Sequence, residues 1–177
     1  MVYVPVWSAT FSKPLLNQTI AIIQRDQISA IAMVNPSLPA ISEFHKGPGL
    51  RTAFPWLTLS ADQTEFDVSS PWTRAWRTTL TLTLDTGQFD QELAQDNAQD
   101  YARVVDMVIT SATGSDWMAP LPILHETVPS GMTTPPEAGS VKEVFVASHR
   151  YSLASQSGAD VPLMRVGLSV VFRLQET

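Results

Sequence analysis

Asp85-Thr86-Gly87 is the strongest chemical candidate in the sequence. It closes a hydrophobic run that ends at Leu84. An aspartate there suits a paired-carboxylate site, in which two Asp side chains share one proton and activate a water. One such Asp is present, so symmetry in a homodimer would have to supply the second. The competing reading is ordinary turn chemistry at a strand end. His45, His125 and His149 lie far apart, at no metal-ligand spacing to one another or to a carboxylate. His45 beside Lys46 and His149 beside Arg150 read as surface or half-buried side chains. Asp62, Glu65 and Asp67 cluster acids, but they lack the glycine and terminal glutamate of a calcium loop and read as a solvated loop. Trp72 and Trp76 flank Arg74, with Arg77 next in line. That interleaving can stack single-stranded nucleic acid, anchor a sheet edge, or bridge to an adjacent subunit. The sequence contains no G-x-S-x-G elbow, no P-loop, no G-x-G-x-x-G and no Cys, so thiol nucleophiles, thiolate metal sites and disulfides are excluded. No catalytic group, metal site or cofactor site is assigned.

The elements that carry these residues are clearest between Pro71 and Ala112. Trp76, Thr78, Leu80, Leu82 and Leu84 share one face, and Arg77, Thr79, Thr81 and Thr83 share the other. Strict alternation predicts a strand with one buried and one wet face. Ala98, Tyr101, Ala102, Val105, Val108, Ile109 and Ala112 then repeat at helical spacing. Asp96 and Gln99 read as a capping box for that helix, and Gly114 as its stop. A half-wet strand followed by an amphipathic helix makes a two-layer unit.

The rest of the chain extends that unit. Val2, Val4 and Val6 alternate with Tyr3 and Pro5, which predicts an extended N-terminal arm over residues 1–11. Ser12 reads as the cap of a first helix, with Pro14 in its first turn and a stripe of Leu16, Thr19, Ile20 and Ile23. Ala40 to Lys46 reads as a short strand. Phe54 to Ser60 reads as a better one, with Phe54, Trp56 and Thr58 against Leu57 and Leu59. Ala61 to Ser70 is polar and reads as a turn-rich link. Ser115 to Ser140 carries five of the prolines yet also Trp117, Met118, Leu121, Ile123 and Leu124. It reads as a loop packed across its own domain or into a neighbour. Val141 to Leu153, a turn at Ser155–Asp160, and Val161 to Glu176 form a C-terminal hairpin. Met164, Val166, Leu168, Val170, Phe172 and Leu174 are its buried face, and Arg165, Ser169 and Arg173 point the other way. The order predicts a single α+β domain over residues 1–177: a mainly antiparallel β-sheet with two α-helices packed on one face.

Composition narrows the function. The chain has 177 residues, 44% hydrophobic and 16% charged, with a formal net charge of -6. No cluster of Lys and Arg exists to hold a phosphate backbone, so sequence-specific nucleic-acid binding is not expected. No apolar run is long enough to span a membrane, and the start MVYVPVWSAT lacks the basic region of a signal peptide. The low charged fraction suggests that copies of the chain cover part of its surface.

The N-terminal helix, the strands FPWLTLS and PWTRAWRTTLTLTLDTG, the helix DNAQDYARVVDMVI and the closing VGLSVVFRLQE resemble the tail terminator or tail completion proteins of tailed bacteriophages, over Leu15 to Glu176. The resemblance implies an α+β subunit of a closed ring, typically a hexamer, that caps the tail tube and joins it to a head-side connector or neck protein. It implies a structural virion protein of the tail or neck, assembled in the host cytoplasm, with DNA passing through the lumen. Candidate subunit-interface residues are Trp72, Arg74, Trp76, Trp117, Met118, Leu121, Ile123 and Leu124. A protein- or peptide-binding module is the first alternative. The second is a homodimeric aspartic protease, which Asp85-Thr86-Gly87 resembles; such enzymes follow the glycine with Ala or Ser, and here Gln88 follows.

Overall fold

A computed structural model describes residues 7–47, 53–69, 75–87, 90–112, 121–122, 137–154 and 163–176. In chain order the elements are α1 (Trp7–Val34), β1 (Glu43–Lys46), β2 (Trp56–Phe66), β3 (Ala75–Gly87), α2 (Gln91–Ser111), β4 (Leu121–Pro122), β5 (Glu137–Ala154) and β6 (Leu163–Glu176). The strands form one 6-stranded sheet in the order β1-β2-β3-β6-β5-β4. Every neighbouring pair is antiparallel except β1 with β2. This is the α+β class that the order of elements predicts.

Alternation decides which face the helices take. Leu80, Leu82 and Leu84 of β3 meet Val166, Leu168, Val170, Phe172 and Leu174 of β6 in a fully buried row. Both helices lay their apolar stripes on that face and on each other. From α2 come Tyr101, Val104, Val105, Val108 and Ile109, and from α1 come Leu15, Ile22, Ile23 and Ile31. Polar contacts fix how α1 turns back. Asn35 donates to Asp100 at 2.9 Å, the Tyr101 hydroxyl donates to the Pro39 carbonyl at 2.5 Å, and the buried Gln27 accepts from the Ile41 amide at 2.8 Å. Burial pushes the Tyr101 hydroxyl's pKa above its ordinary value.

A bulge between Ala61 and Gln63 keeps β2 in phase. Leu57 and Leu59 face the helices before it, and Gln63 and Glu65 face away after it. One extra residue reverses the facing of all that follow, so without the bulge those polar side chains would turn inward.

Several element boundaries differ from the sequence reading. The extended arm over residues 1–11 is replaced by helix from Trp7, and residues 1–6 lie outside the described residues. A helix once nucleated grows at little cost, so α1 runs back through Ser12 and Pro14 at the loss of one rung. Ser12 is therefore no cap. The cap of α2 is Asp90, not Asp96; its carboxylate accepts from the amides of Glu92 at 2.9 Å and Leu93 at 3.3 Å. Asp96 lies inside the helix and is exposed. The polar stretch from Ala61 continues β2 as far as Phe66, because only one face of a strand needs apolar residues. The Pro-rich segment contains β4 and the start of β5. Gly114 and the Ser155–Asp160 turn lie outside the described residues.

Candidate functional site

The sheet face opposite the helices gathers most of the polar candidates. Its rows follow from the strand registers. At one end Glu65, Arg77, Arg173 and Glu143 stand side by side across β2, β3, β6 and β5. The centre is hydroxyl-rich, with Thr79, Thr81 and Thr83 on β3, Thr58 and Ser60 on β2, and Ser169 and Ser148 on the far strands; the Asp62 carboxylate at the bulge accepts from Thr81, and Val171, Phe145 and Arg150 complete the rows toward β5. At the other end Trp56, Asp85, Arg165 and Ser152 form the last row. β-branched threonine suits such a half-open pleated surface.

Asp85 is the chemical candidate, and the fold commits both its oxygens. Its side chain is 1% exposed. Arg165 Nε donates to Oδ1 at 2.7 Å and Nη2 to Oδ2 at 3.1 Å, while Trp56 Nε1 donates to Oδ2 at 2.7 Å. The hydrogen bond to Asp85 raises the guanidinium pKa of Arg165. A carboxylate forked by a guanidinium and capped by an indole is held as a buried structural anion, with three of its acceptor sites taken. Phe54 stacks on Trp56 with ring centroids 4.2 Å apart, and a Cβ at Gly87 would come within 3.0 Å of the Phe54 ring. Here the glycine is needed for close approach.

Asp67 anchors the other end. It is not a solvated loop acid: its side chain is 1% exposed. Oδ1 accepts from the Ser69 hydroxyl at 2.6 Å and from Arg77 Nη2 at 3.4 Å. Oδ2 lies 3.3 Å from Arg173 Nε, an ion-pair distance without hydrogen-bond alignment. Donation from Ser69, helped by the two arginines, holds the Asp67 carboxyl below the usual carboxylate range against the opposing cost of burial. Arg173 also meets Glu143 at 2.7 Å. Arg77, Arg165 and Arg173 are thus turned to protein carboxylates, not offered as a phosphate track, while Arg150 at the β5 edge of this face is exposed.

The two described histidines sit on different elements, each beside its own carboxylate. His45 lies 2.9 Å from Glu43, and His149 lies 4.0 Å from Asp106 on the helix side of the sheet. Among the described residues no group of three or more His, Cys, Asp or Glu could hold a metal ion. Among the same residues no helix is long and apolar enough to cross a membrane.

Of the interface residues expected from the sequence, the described side chains include Trp76 alone. It is half-buried against the core at the root of the β2–β3 hairpin and meets Phe66 edge-to-face at 5.6 Å. Leu121 contributes the backbone of β4. Trp72, Arg74, Trp117, Met118, Ile123, Leu124 and His125 lie outside the described residues. Exposed apolar side chains that the sequence reading passed over include Met33 and Leu93 on the helices and, at the sheet edges and the β2–β3 turn, Phe66 at 53%, Val68 at 87%, Tyr151 at 44% and Leu153 at 60%. At the β5 edge the signal was alternation carried past the core: Tyr151 and Leu153 continue the helix-side row of β5 beyond the helices.

No protein-family model matches the chain, and no curated protein matches it. Among solved structures it is similar to a chain from the virion of a native gene transfer agent particle, with 13% identity, a TM-score of 0.49, 92% of this chain covered and 95% of that one. A second solved chain aligns with 12% identity and a TM-score of 0.35, over 88% of this chain and 95% of the other. Likenesses at these scores carry no argument about function.

Proposed function

We propose that the chain is a non-enzymatic structural protein of a phage-type virion, a tail terminator or related neck component, acting as a ring subunit. The observation that carries the reading is the two-layer architecture, with one largely polar sheet face that no helix covers among the described residues and two unlike edges. A ring of identical subunits needs two different complementary surfaces on each copy, and unlike edges supply them. The bare face suits a lumen through which DNA slides, because Arg77, Arg165 and Arg173 are turned to Asp67, Asp85 and Glu143, with Arg150 left at the β5 edge, and its central strand is lined by threonine. The net charge of -6 acts in the same direction. The resemblance in element order to tail terminators gives the finer assignment, with the tail tube protein and a head-side neck protein as partners and the assembled virion as location. The committed Asp85 carboxylate weighs against the protease reading.

A tube-growth assay tests this. Added to polymerising tail tube protein, the purified chain stops elongation and appears at one end of each tube by negative-stain microscopy. Unchanged tube lengths with no density at either end would overturn the assignment. A peptide- or protein-binding module is a second reading favoured by the outer edge of β5, and it predicts no effect on tube growth.

A further inference from the structure

The two sheet edges are both incomplete. β1 pairs with β2 only through Trp56–Leu59, so among the described residues the outer edge of Ser60–Phe66 has no strand beside it. On the far side β4 pairs with β5 only at Glu137 and Gly139, and the outer edge of β5 beyond Ser140 has no strand partner among the described residues. Exposed strand edges are templates for another strand. Here they are long, and neither has a proline within its free part.

We infer that the free edge of β5 in one copy pairs antiparallel with the Ser60–Phe66 edge of β2 in the next copy, continuing the sheet from subunit to subunit. The inference rests on the ring reading and names its contact. Strand sense allows it: β2, β3, β6 and β5 alternate in direction, so β5 of one copy meets β2 of the next antiparallel with their helix faces on the same side. Side-chain chemistry matches on both faces. On the helix side the exposed apolar residues are Tyr151 and Leu153 on one edge and Phe66 on the other. On the bare face β5 presents Arg150, exposed and without an acidic partner among the described residues, and β2 presents Glu65, 46% exposed. The register that sets Arg150 opposite Glu65 also sets Tyr151 opposite Thr64 and His149 opposite Phe66, and brings Leu153 to the bulge after Ala61. Opposite charges then meet on the bare face and Tyr151 lies diagonal to Phe66 on the helix side, as cross-strand pairing favours. The two edges differ, so the contact is head-to-tail and can close into a ring.

The absence of Cys makes the test clean. Directly opposed residues of an antiparallel pair are close enough for a disulfide. A chain carrying both Glu65→Cys and Arg150→Cys, oxidised and run on a denaturing non-reducing gel, gives a ladder of covalent multimers ending at the ring. Either single variant alone stays a monomer, and an equal mixture of the two singles stops at dimers. A double variant without a ladder, or covalent dimers from Arg150→Cys alone, overturns the inference. Light scattering on the unmodified chain separates this from failure of the ring reading. A closed oligomer whose double variant gives no ladder places the interface elsewhere and keeps the ring. A monomer at every concentration with no ladder overturns both. A charge-reversal series gives a second readout: Arg150→Glu lowers the assembled mass, and adding Glu65→Arg restores it. Loss without rescue counts against the pairing.

Discussion

Asp85→Asn isolates the difference between a structural carboxylate and a catalytic one. The substitution keeps the side-chain shape and removes its charge. Asp85 is 1% exposed and receives three donations, two from Arg165 and one from Trp56. An asparagine oxygen in the Oδ2 position can keep Trp56 Nε1 and Arg165 Nη2, while its amide hydrogens point at Arg165 Nε. Breaking a buried ion pair by removing one partner costs about 3–5 kcal/mol. Arg165 is 45% exposed and regains water when released, so the lower value of roughly 2 kcal/mol applies. For a domain of this size each kcal/mol moves the thermal midpoint by about 2–4 °C, which gives a fall of roughly 4–8 °C. The assay is thermal unfolding followed by circular dichroism at pH 7, completed as a double-mutant cycle with Arg165→Met. A coupling of about 1–2 kcal/mol is expected, with the assembled mass unchanged. A midpoint within about 1 °C of wild type, or a coupling near zero, would refute the claim that this pair holds the end of the sheet.

Other perturbations test the remaining anchors. The folded-state pKa of Asp67 is lowered, so its contribution to stability is present above its unfolded value and lost as pH falls through the folded one. Asp67→Asn therefore costs about 1–2 kcal/mol at pH 7, and the gap from wild type closes in acid melts as pH falls through the lowered folded value; a gap that stays constant contradicts the assignment. Asp90→Ala removes the cap of α2 and lowers stability by about 1 kcal/mol in denaturant unfolding, whereas Asp96→Ala stays within about 0.5 kcal/mol. Gly87→Ala drives a methyl group to 3.0 Å from the Phe54 ring. It unstacks Phe54 from Trp56, costs about 1–2 kcal/mol and alters the near-ultraviolet dichroism; an unaltered aromatic spectrum would show that the stack is not held there.

Where one physical pattern dominated, the sequence was legible. The alternation in Trp76–Leu84 and Met164–Leu174 assigned both faces of the central strands, and the stripe from Ala98 to Ile109 assigned the core face of α2. Those patterns are strong because a single-residue slip would bury Thr, Arg or Ser. Boundaries were less legible. Asp90 and Asp96 are equally good caps by type, and only packing of Ala94 and Ala98 near Met164 shows that the helix needs the two earlier turns. Asp62, Glu65 and Asp67 read alike as solvent acids. The fold separates them: the bulge turns Glu65 to the bare face, and the hairpin buries Asp67 between two arginines. The role of Asp85 was hidden because its partners, Trp56 and Arg165, are 29 and 80 residues away in the chain. Register alone brings them into one row.

Absolute mass in solution tests the central claim most directly. Multi-angle light scattering across a concentration series, repeated with purified tail tubes, reports whether identical subunits close on themselves. The account predicts one discrete species near six copies, alone or once tube ends are supplied, with no growth to open polymers. A clean dimer, or a monomer that stays monomeric with tubes present, would contradict it.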